Sequence, residues 1–199
     1  MKKILYVLIP AAVLIMVYYS MSGGQSSEEY EKFILDEREK KADFLKSSSQ
    51  SPFVVAKQEV GEFSYFPIDQ KWKVVAKVEK ITTRQTVNVS NSDGTSQRYL
   101  KFAWLHFKMD GKELKLLALK PMFSPGYFLG FSDDTSGAST YGGGRYLDIP
   151  DIRGDRVTLD FNLAYNPYCA YVADYFCPFP PRENILSVAV EAGEKAYLK

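Results

Sequence analysis

The sequence predicts a mainly β protein: an antiparallel β-sandwich or partly closed barrel, preceded by an N-terminal transmembrane or signal helix and a short amphipathic helix. Three observations carry this. Aromatic residues make up 15% of the 199 residues, with 14 Tyr and 13 Phe, a content suited to strands. From Trp72 onward apolar residues alternate with polar ones, and Asp-Gly pairs separate the alternating runs. Ahead of them stand an uncharged apolar run and then a charged segment of helical periodicity.

The apolar core ILYVLIPAAVLIMVYY (4–19) follows Lys2 and Lys3 and precedes Glu28, Glu29 and Glu31. At about 1.5 Å per residue it rises roughly 24 Å, and the small residues after it extend the reach toward bilayer thickness. The lysines orient the N-terminus inward, so the rest is exported. Tyr18 and Tyr19 make a poor small-residue cleavage site and suit an interfacial belt, which favours an uncleaved anchor at 1–22 over a signal peptide. The expected location is the cell envelope, with the domain outside the cytoplasm, or periplasmic if the segment is cleaved.

Residues 23–27 (GGQSS) read as a tether, and 28–199 as a single β-rich domain opening with a helix at 28–46. Ser27 is positioned to cap that helix, with Glu28 and Glu29 at the positive end of its dipole. Tyr30, Phe33, Ile34, Phe44 and Leu45 share one face, and the charged run 36–41 between them offers pairs such as Glu37 with Lys41. SSSQSP (47–52) ends the helix.

Residues 72–81 then read as a strand with Trp72, Val74, Ala76 and Val78 on one face. Residues 84–90 and 98–109 are joined by a turn at Asn91–Gly94, and 113–120 returns after Asp110-Gly111. Further strands are expected at 127–131, 156–161 and 185–190. No helical crossover separates these runs, so antiparallel pairing is the economical arrangement.

Charge and composition exclude several functions. Lys plus Arg number 25 against 24 Asp plus Glu, for a net charge of +1, and no basic footprint marks a nucleic-acid binder. The one histidine, His106, lies in a strand pattern and has no partners for a catalytic triad or a multi-histidine metal centre. No metal or cofactor is assigned, although Asp133, Asp134, Asp160 and Asn162 carry the oxygen donors that suit calcium or magnesium.

The polar density lies in the last third. FSDDTSGASTYGGGRYLDI (131–149) gathers hydroxyls and carboxylates ahead of three glycines and Arg145, where backbone N–H groups could nest an anion. A tight strand connection braced by Asp side chains explains the same residues. In LDFNLAYNPYCAYVADYFCPFPPREN (159–184), Asp160 and Asn162 alternate with apolar residues, and the prolines stiffen a long connection. Cys169 and Cys177 flank seven residues; a disulfide between them would contribute about 2 kcal/mol, and two reduced thiols are the alternative.

The segments Asp134-Thr135, TYGGGRYLD (140–148), DFNLAYNPYCAY (160–171), CPFPPREN (177–184) and AGEK (192–195) together resemble a bacterial family known as domain of unknown function number 1684. The resemblance spans about residues 28–199 and includes FSYFPIDQKWKVVAKV (63–78). Leu163 stands where the family often carries a basic residue, which weighs against an anion site there. The resemblance implies a common fold and a shared site, and assigns no activity.

The candidate ligand site is therefore Asp134, Thr135, Tyr141, Arg145, Asp160, Asn162 and Asn166. The expected function is a membrane-anchored, non-catalytic module for a small polar ligand, a glycan or a partner protein. Tyr165, Tyr168, Tyr171, Tyr175, Phe176 and Phe179 offer aromatic faces for sugar rings or, equally, core. A hydrolase using the Asp, Arg and Asn residues of the 133–166 loops is the alternative. An Asp-Arg and Asp-Asn network that only pins the loops explains the same side chains.

Overall fold

The computed structural model describes residues 26–198 except Ser124. The expected anchor and the first three residues of the tether lie outside the described residues, among which no helix is long and apolar enough to cross a membrane. The chain divides into two compact units, Met1–Phe33 and Ile34–Lys199. In the first, the described residues open helix α1 (Ser27–Ser47). Its cap is Ser26 rather than Ser27: Glu29 N donates to Ser26 Oγ (3.1 Å) and Ser26 N to Glu29 Oε2 (3.0 Å). The earlier serine wins because it alone has a glutamate three residues on, which closes a reciprocal capping box.

In the second unit, α1 buries Ile34 and Leu45. Ser51 then caps a short helix α2 (Pro52–Ala56), accepting from Phe53 N and donating its own hydroxyl to Leu45 O. Proline at the first helical position has no N–H to leave orphaned there.

The alternating runs form one five-stranded antiparallel sheet from β1 (Lys73–Lys80), β2 (Thr86–Ser90), β3 (Ser96–Met109), β4 (Lys112–Pro121) and β7 (Arg156–Asp160). Between β4 and β7 in sequence come β5 (Gly130–Phe131) and β6 (Arg145–Tyr146), which pair with each other, Tyr146 also bridging to Tyr165. The long β3 is the spine. β4 pairs along one edge from Tyr99↔Pro121 to Met109↔Lys112, while the other edge is shared by β2 and then β1. β7 pairs with the far side of β1, and β7 and β4 do not meet, so the sheet stays open and no barrel closes.

A register shift between Lys101 and Ala103 breaks the alternation of β3. Tyr99 and Trp104 consequently join one apolar cluster with Val89, Leu117 and Leu119, whereas Ala103, Leu105 and Phe107 face the main core. An extra residue in one strand reverses the faces beyond it. This leaves β4 covered on both sides, which explains why Leu116 to Leu119 form a continuous apolar run.

The second layer is not the second sheet of a sandwich. Leu129, Phe131, Leu147, Ile152, Phe161, Leu186, Val188 and Val190 fill the main core from largely irregular chain. The strand expected at 127–131 shortens to the Leu119↔Phe128 bridge and β5, and 185–190 forms no strand. Leu186, Val188 and Val190 still alternate inward; Leu186 N and Val188 O bond the backbone of Ser132 and Asp134, whereas the N–H and C=O of Val190 are taken up by the side chains of Asp133 and Arg145. His106 points away from this core, with Nε2 2.8 Å from Glu79 Oε2 on the open sheet face.

Candidate functional site

The seven residues singled out by sequence do not converge on one cleft. Thr135, Arg145, Asp160, Asn162 and Asn166 fall into three buried networks that brace irregular chain, whereas Asp134 is exposed and Tyr141 lies beside Cys169. In the first, the side chains of Arg145 and Asp133 are both 0% exposed and paired at 3.0 Å. Arg145 Nη2 also donates to Val190 O (2.9 Å), and Nη1 to the carbonyls of Ala192 and Glu194. Asp133 Oδ1 accepts from Thr135 N, Thr135 Oγ1 and Val190 N at 2.9, 2.6 and 3.1 Å. Thr135 Oγ1 lies 2.9 Å from Thr140 Oγ1. The neighbouring Asp134 is exposed and contributes only its backbone N–H, to Val188 O. The carboxylate that matters to Arg145 is the one before the residue selected.

At the three glycines expected to nest an anion, the N–H of Gly144 donates to Tyr141 O at 3.0 Å. Gly144 has φ +83°, and a Cβ there would lie 2.6 Å from both Phe131 O and Pro180 Cγ. Glycine is required here for a left-handed turn against packed neighbours.

In the second network Asn162 bonds reciprocally with Asp69, Oδ1 accepting from Asp69 N at 3.1 Å and Nδ2 donating to Asp69 O at 2.9 Å. Asp160 Oδ1 accepts from Asn162 N and Nδ2. Arg38 of α1 donates to the carbonyls of Asn162 and Phe66. The third network centres on Glu194, which is 1% exposed. It accepts from Asn166 N at 3.0 Å and from the Tyr171 hydroxyl at 2.7 and 2.8 Å, while Asn166 Nδ2 donates to Lys195 O. Burial raises the Glu194 carboxyl pKa against the bonds from Tyr171 and Asn166 that favour its charge.

A solvent-reaching pocket of about 610 Å³ lies beside these networks. Tyr65, Tyr146, Tyr165 and Tyr168 supply its aromatic walls, α1 lines it with Glu37, Arg38, Lys40 and Lys41, and Asp148 adds a second carboxylate. Lys41 Nζ sits 2.8 Å from the Tyr165 ring centroid, a cation–π arrangement. Burial lowers its pKa to about 8, opposed by the charges of Asp148 and Glu194. The Tyr165 hydroxyl donates to Asp148 Oδ1 at 2.7 Å, and burial together with Asp148 holds that phenol far above its usual range. Tyr146 is fixed by its hydroxyl bond to Pro178 O at 2.6 Å. Tyr171 and Tyr175, by contrast, are spent on packing, Tyr171 with Phe53 and Phe63 and Tyr175 edge-on to Tyr168.

Lys41 and Asp148 were not among the residues selected, and α1 carried a signal for Lys41. Ile34, Arg38, Lys41 and Leu45 are spaced 4, 3 and 4 residues apart, so two cations share the stripe that buries Ile34 and Leu45. Long cationic side chains on an apolar face end in a hydrated pocket or at partners. Glu37 pairs with Lys40 at 2.6 Å rather than with Lys41, which is drawn inward.

Cys169 and Cys177 are brought together as free thiols: Cys169 N donates to Cys177 Sγ at 3.2 Å. Tyr141, selected as a ligand contact, places its hydroxyl 3.7 Å from Cys169 Sγ. No group of three or more His, Cys, Asp or Glu residues suited to a metal ion occurs among the described residues.

The fold and pocket define a class: an open antiparallel sheet backed by irregular, internally braced chain, with a tyrosine-walled cavity at the helix. The chain belongs to the family described as protein of unknown function (DUF1684), whose model matches residues 59–195. It is similar to the uncharacterized protein from gene locus rrnAC0354 of Haloarcula marismortui, solved by solution NMR, with 36% sequence identity and a TM-score of 0.67. That likeness covers 88% of this chain and 98% of that one. No match is found among curated proteins. These comparisons establish family and fold and leave activity open.

Proposed function

We propose that this is an envelope protein, tethered through residues 1–22, whose folded body binds a small polar ring such as a sugar or sugar acid in the pocket beside α1. The observation that carries the ligand reading is the gathering of four tyrosine faces and five charged tips around one cavity of about 610 Å³. Aromatic walls with a few placed polar groups are the usual make-up of small-molecule sites. Tyrosine faces accept the C–H side of a sugar, while Lys41 and Asp148 address hydroxyls or a carboxylate. Three cations against two carboxylates at the lining favour an acidic sugar over a neutral one. Asn162 lines the pocket, and Arg145, Asp160 and Asn166 then act as braces of the chain that carries it.

The hydrolase alternative has less support. Asp160 is engaged with Asn162, Glu183 with Lys101 at 2.9 Å, and Asp148 with the Tyr165 hydroxyl.

The test is equilibrium binding of the full chain to uronic acids and acidic oligosaccharides beside neutral sugars of the same size. A ligand at a hundred times its Kd adds about 2.7 kcal/mol of stability. Lys41→Met should remove the preference for the acid, and Tyr165→Leu should remove binding of both. No stabilisation by any sugar would overturn the ligand reading. Membrane sedimentation of the full chain, lost on deletion of residues 1–22, tests the tether separately.

A further inference from the structure

We propose that Cys169 and Cys177 form a redox-active dithiol, with Cys169 as the attacking thiol and Cys177 as the resolving one, cycling to a disulfide and back by exchange with small-molecule thiols and disulfides. The proposal is independent of what occupies the pocket.

The chain is folded to bring the two sulfurs together. Asn166-Pro167 leads into the short helix α3 (Tyr168–Tyr171), and Val172 N and Tyr175 N then turn back on Tyr168 O and Val172 O. This return sets Cys177 Sγ 3.2 Å from the backbone nitrogen of Cys169. Cys177 is held there from the other side by the β2–β3 hairpin: its N–H donates to Ser92 Oγ at 3.1 Å, and Ser92 N donates to its carbonyl at 3.0 Å. The two cysteines are thus held side by side by separate elements.

The pair is also asymmetric in the way exchange needs. Cys177 is 8% exposed, whereas Cys169 is only partly buried. The hydrogen bond from the Cys177 thiol lowers the Cys169 pKa to about 6, with smaller help from Tyr141 and Ser92. The same bond, with burial, holds Cys177 above the ordinary thiol range. Tyr141, Tyr146 and Tyr168 are the other titratable groups facing the pair, and burial raises all three, so they stand neutral beside it. The accessible sulfur is thus the thiolate, and the covered one keeps its proton.

The chemistry balances with a disulfide such as oxidised glutathione as the oxidant. The Cys169 thiolate attacks one sulfur of the reagent; its S–S bond breaks, and the first glutathione leaves and is protonated. Cys177 then gives its proton to solvent and attacks Cys169 Sγ, expelling the second glutathione. Two protein thiols become one disulfide, and two electrons and two protons pass to the reagent.

The experiment uses the full chain with iodoacetamide and with glutathione as probes. In the reduced protein Cys169 should be alkylated before Cys177, reaching half its limiting rate near pH 6. Oxidised glutathione should yield a protein lighter by two hydrogens and carrying no adduct, and excess reduced glutathione should reverse this in the folded state. Cys177→Ala should stop at a stable glutathione adduct on Cys169. First labelling of Cys177, an adduct that persists in the unaltered chain, or a bridge that reduced glutathione does not open would each overturn the proposal. The unaltered chain decides the question even if a variant fails to fold.

Discussion

The hairpin sheet of β1 to β4 and the chain from Phe131 to Lys195 both send apolar side chains into the main core, but they satisfy their backbones by different means. In the sheet, strand pairs neutralise N–H and C=O groups in register, and side chains are left to pack. Beyond Phe131 the longest strand is the five residues of β7, and buried polar side chains take over the same task. Arg145 serves three carbonyls, Asp133 two N–H groups, Asn184 the N–H and C=O of Leu117 and the carbonyl of Gly130. Buried backbone groups have to be paired by something. Where strands are missing, the side chains do it, and this accounts for the concentration of Asp, Asn, Thr and Arg in the last third.

The strongest way to break this comparison is at Arg145. Arg145→Ala should destabilise the protein by about 3–5 kcal/mol, because it leaves Asp133 charged and unpaired in the core. The double change Arg145→Met with Asp133→Leu sharpens the point. An isolated buried ion pair is often replaced by apolar residues without loss. Here the replacement should stay destabilising by several kcal/mol, since Val190 N, Val190 O and Thr135 N lose their partners as well. Denaturant unfolding of the three proteins decides it. Full recovery in the double variant would mean that the pair is an ion pair and not a backbone brace.

Asn184→Ala tests the same idea with no charge involved. It removes bonds of 2.6, 3.0 and 2.8 Å to the backbone of Leu117 and Gly130, where β4 meets the irregular layer. A loss of about 2–3 kcal/mol is expected from thermal or denaturant unfolding, reflecting buried groups left unpaired.

At the border between the two regions, Lys41 adds a pH signature. Its pKa falls to about 8 on folding from the 10.5 of an exposed lysine, so between those values the unfolded chain holds the extra proton. Stability therefore rises with pH through that window, and the cost of burying the charge is present in full below about pH 8. Relative to Lys41→Met, the unaltered protein should gain about 2–3 kcal/mol between pH 7 and pH 10.5. A flat difference across that range would place the ammonium in solvent and remove it from the pocket.

The sheet was legible in the sequence because its signals are local. Alternation from Trp72 to Val78, the Asp93-Gly94 and Asp110-Gly111 turns and the mixed face of Arg98 to Met109 specify pairing without reference to anything distant. The irregular layer was not legible in that way. Leu186, Val188 and Val190 alternate like a strand, but Leu186 and Val188 bond only a short stretch of backbone at Ser132 and Asp134, and the partners of Val190 are side chains 45 and 57 residues away; no periodicity encodes that. Of the polar positions singled out, Thr135, Arg145, Asp160, Asn162 and Asn166 are buried in separate networks rather than one cleft, and Asp134 stood in for Asp133, since two adjacent aspartates differ only in which one faces inward. The pocket drew on Lys41, whose place on an apolar stripe was visible but lay inside a run of solvated charge.

The smallest effect is predicted at the His106–Glu79 contact on the open sheet face, and it closes the comparison from the other side. His106 and Glu79 sit on paired strands at 2.8 Å, nearly the geometry of Arg145 and Asp133, but their side chains are 39% and 65% exposed where the buried pair is 0% and 0%. Water already solvates both groups, and β1 and β3 bond each other through their backbones beneath them. His106→Ala and Glu79→Ala should therefore each cost less than about 1 kcal/mol, and the double variant no more than the sum. Both should also leave sugar binding untouched, because neither side chain lines the pocket. A cost of several kcal/mol here would show that exposed charges carry this fold too, and the division between a backbone-paired sheet and a side-chain-braced layer would fail.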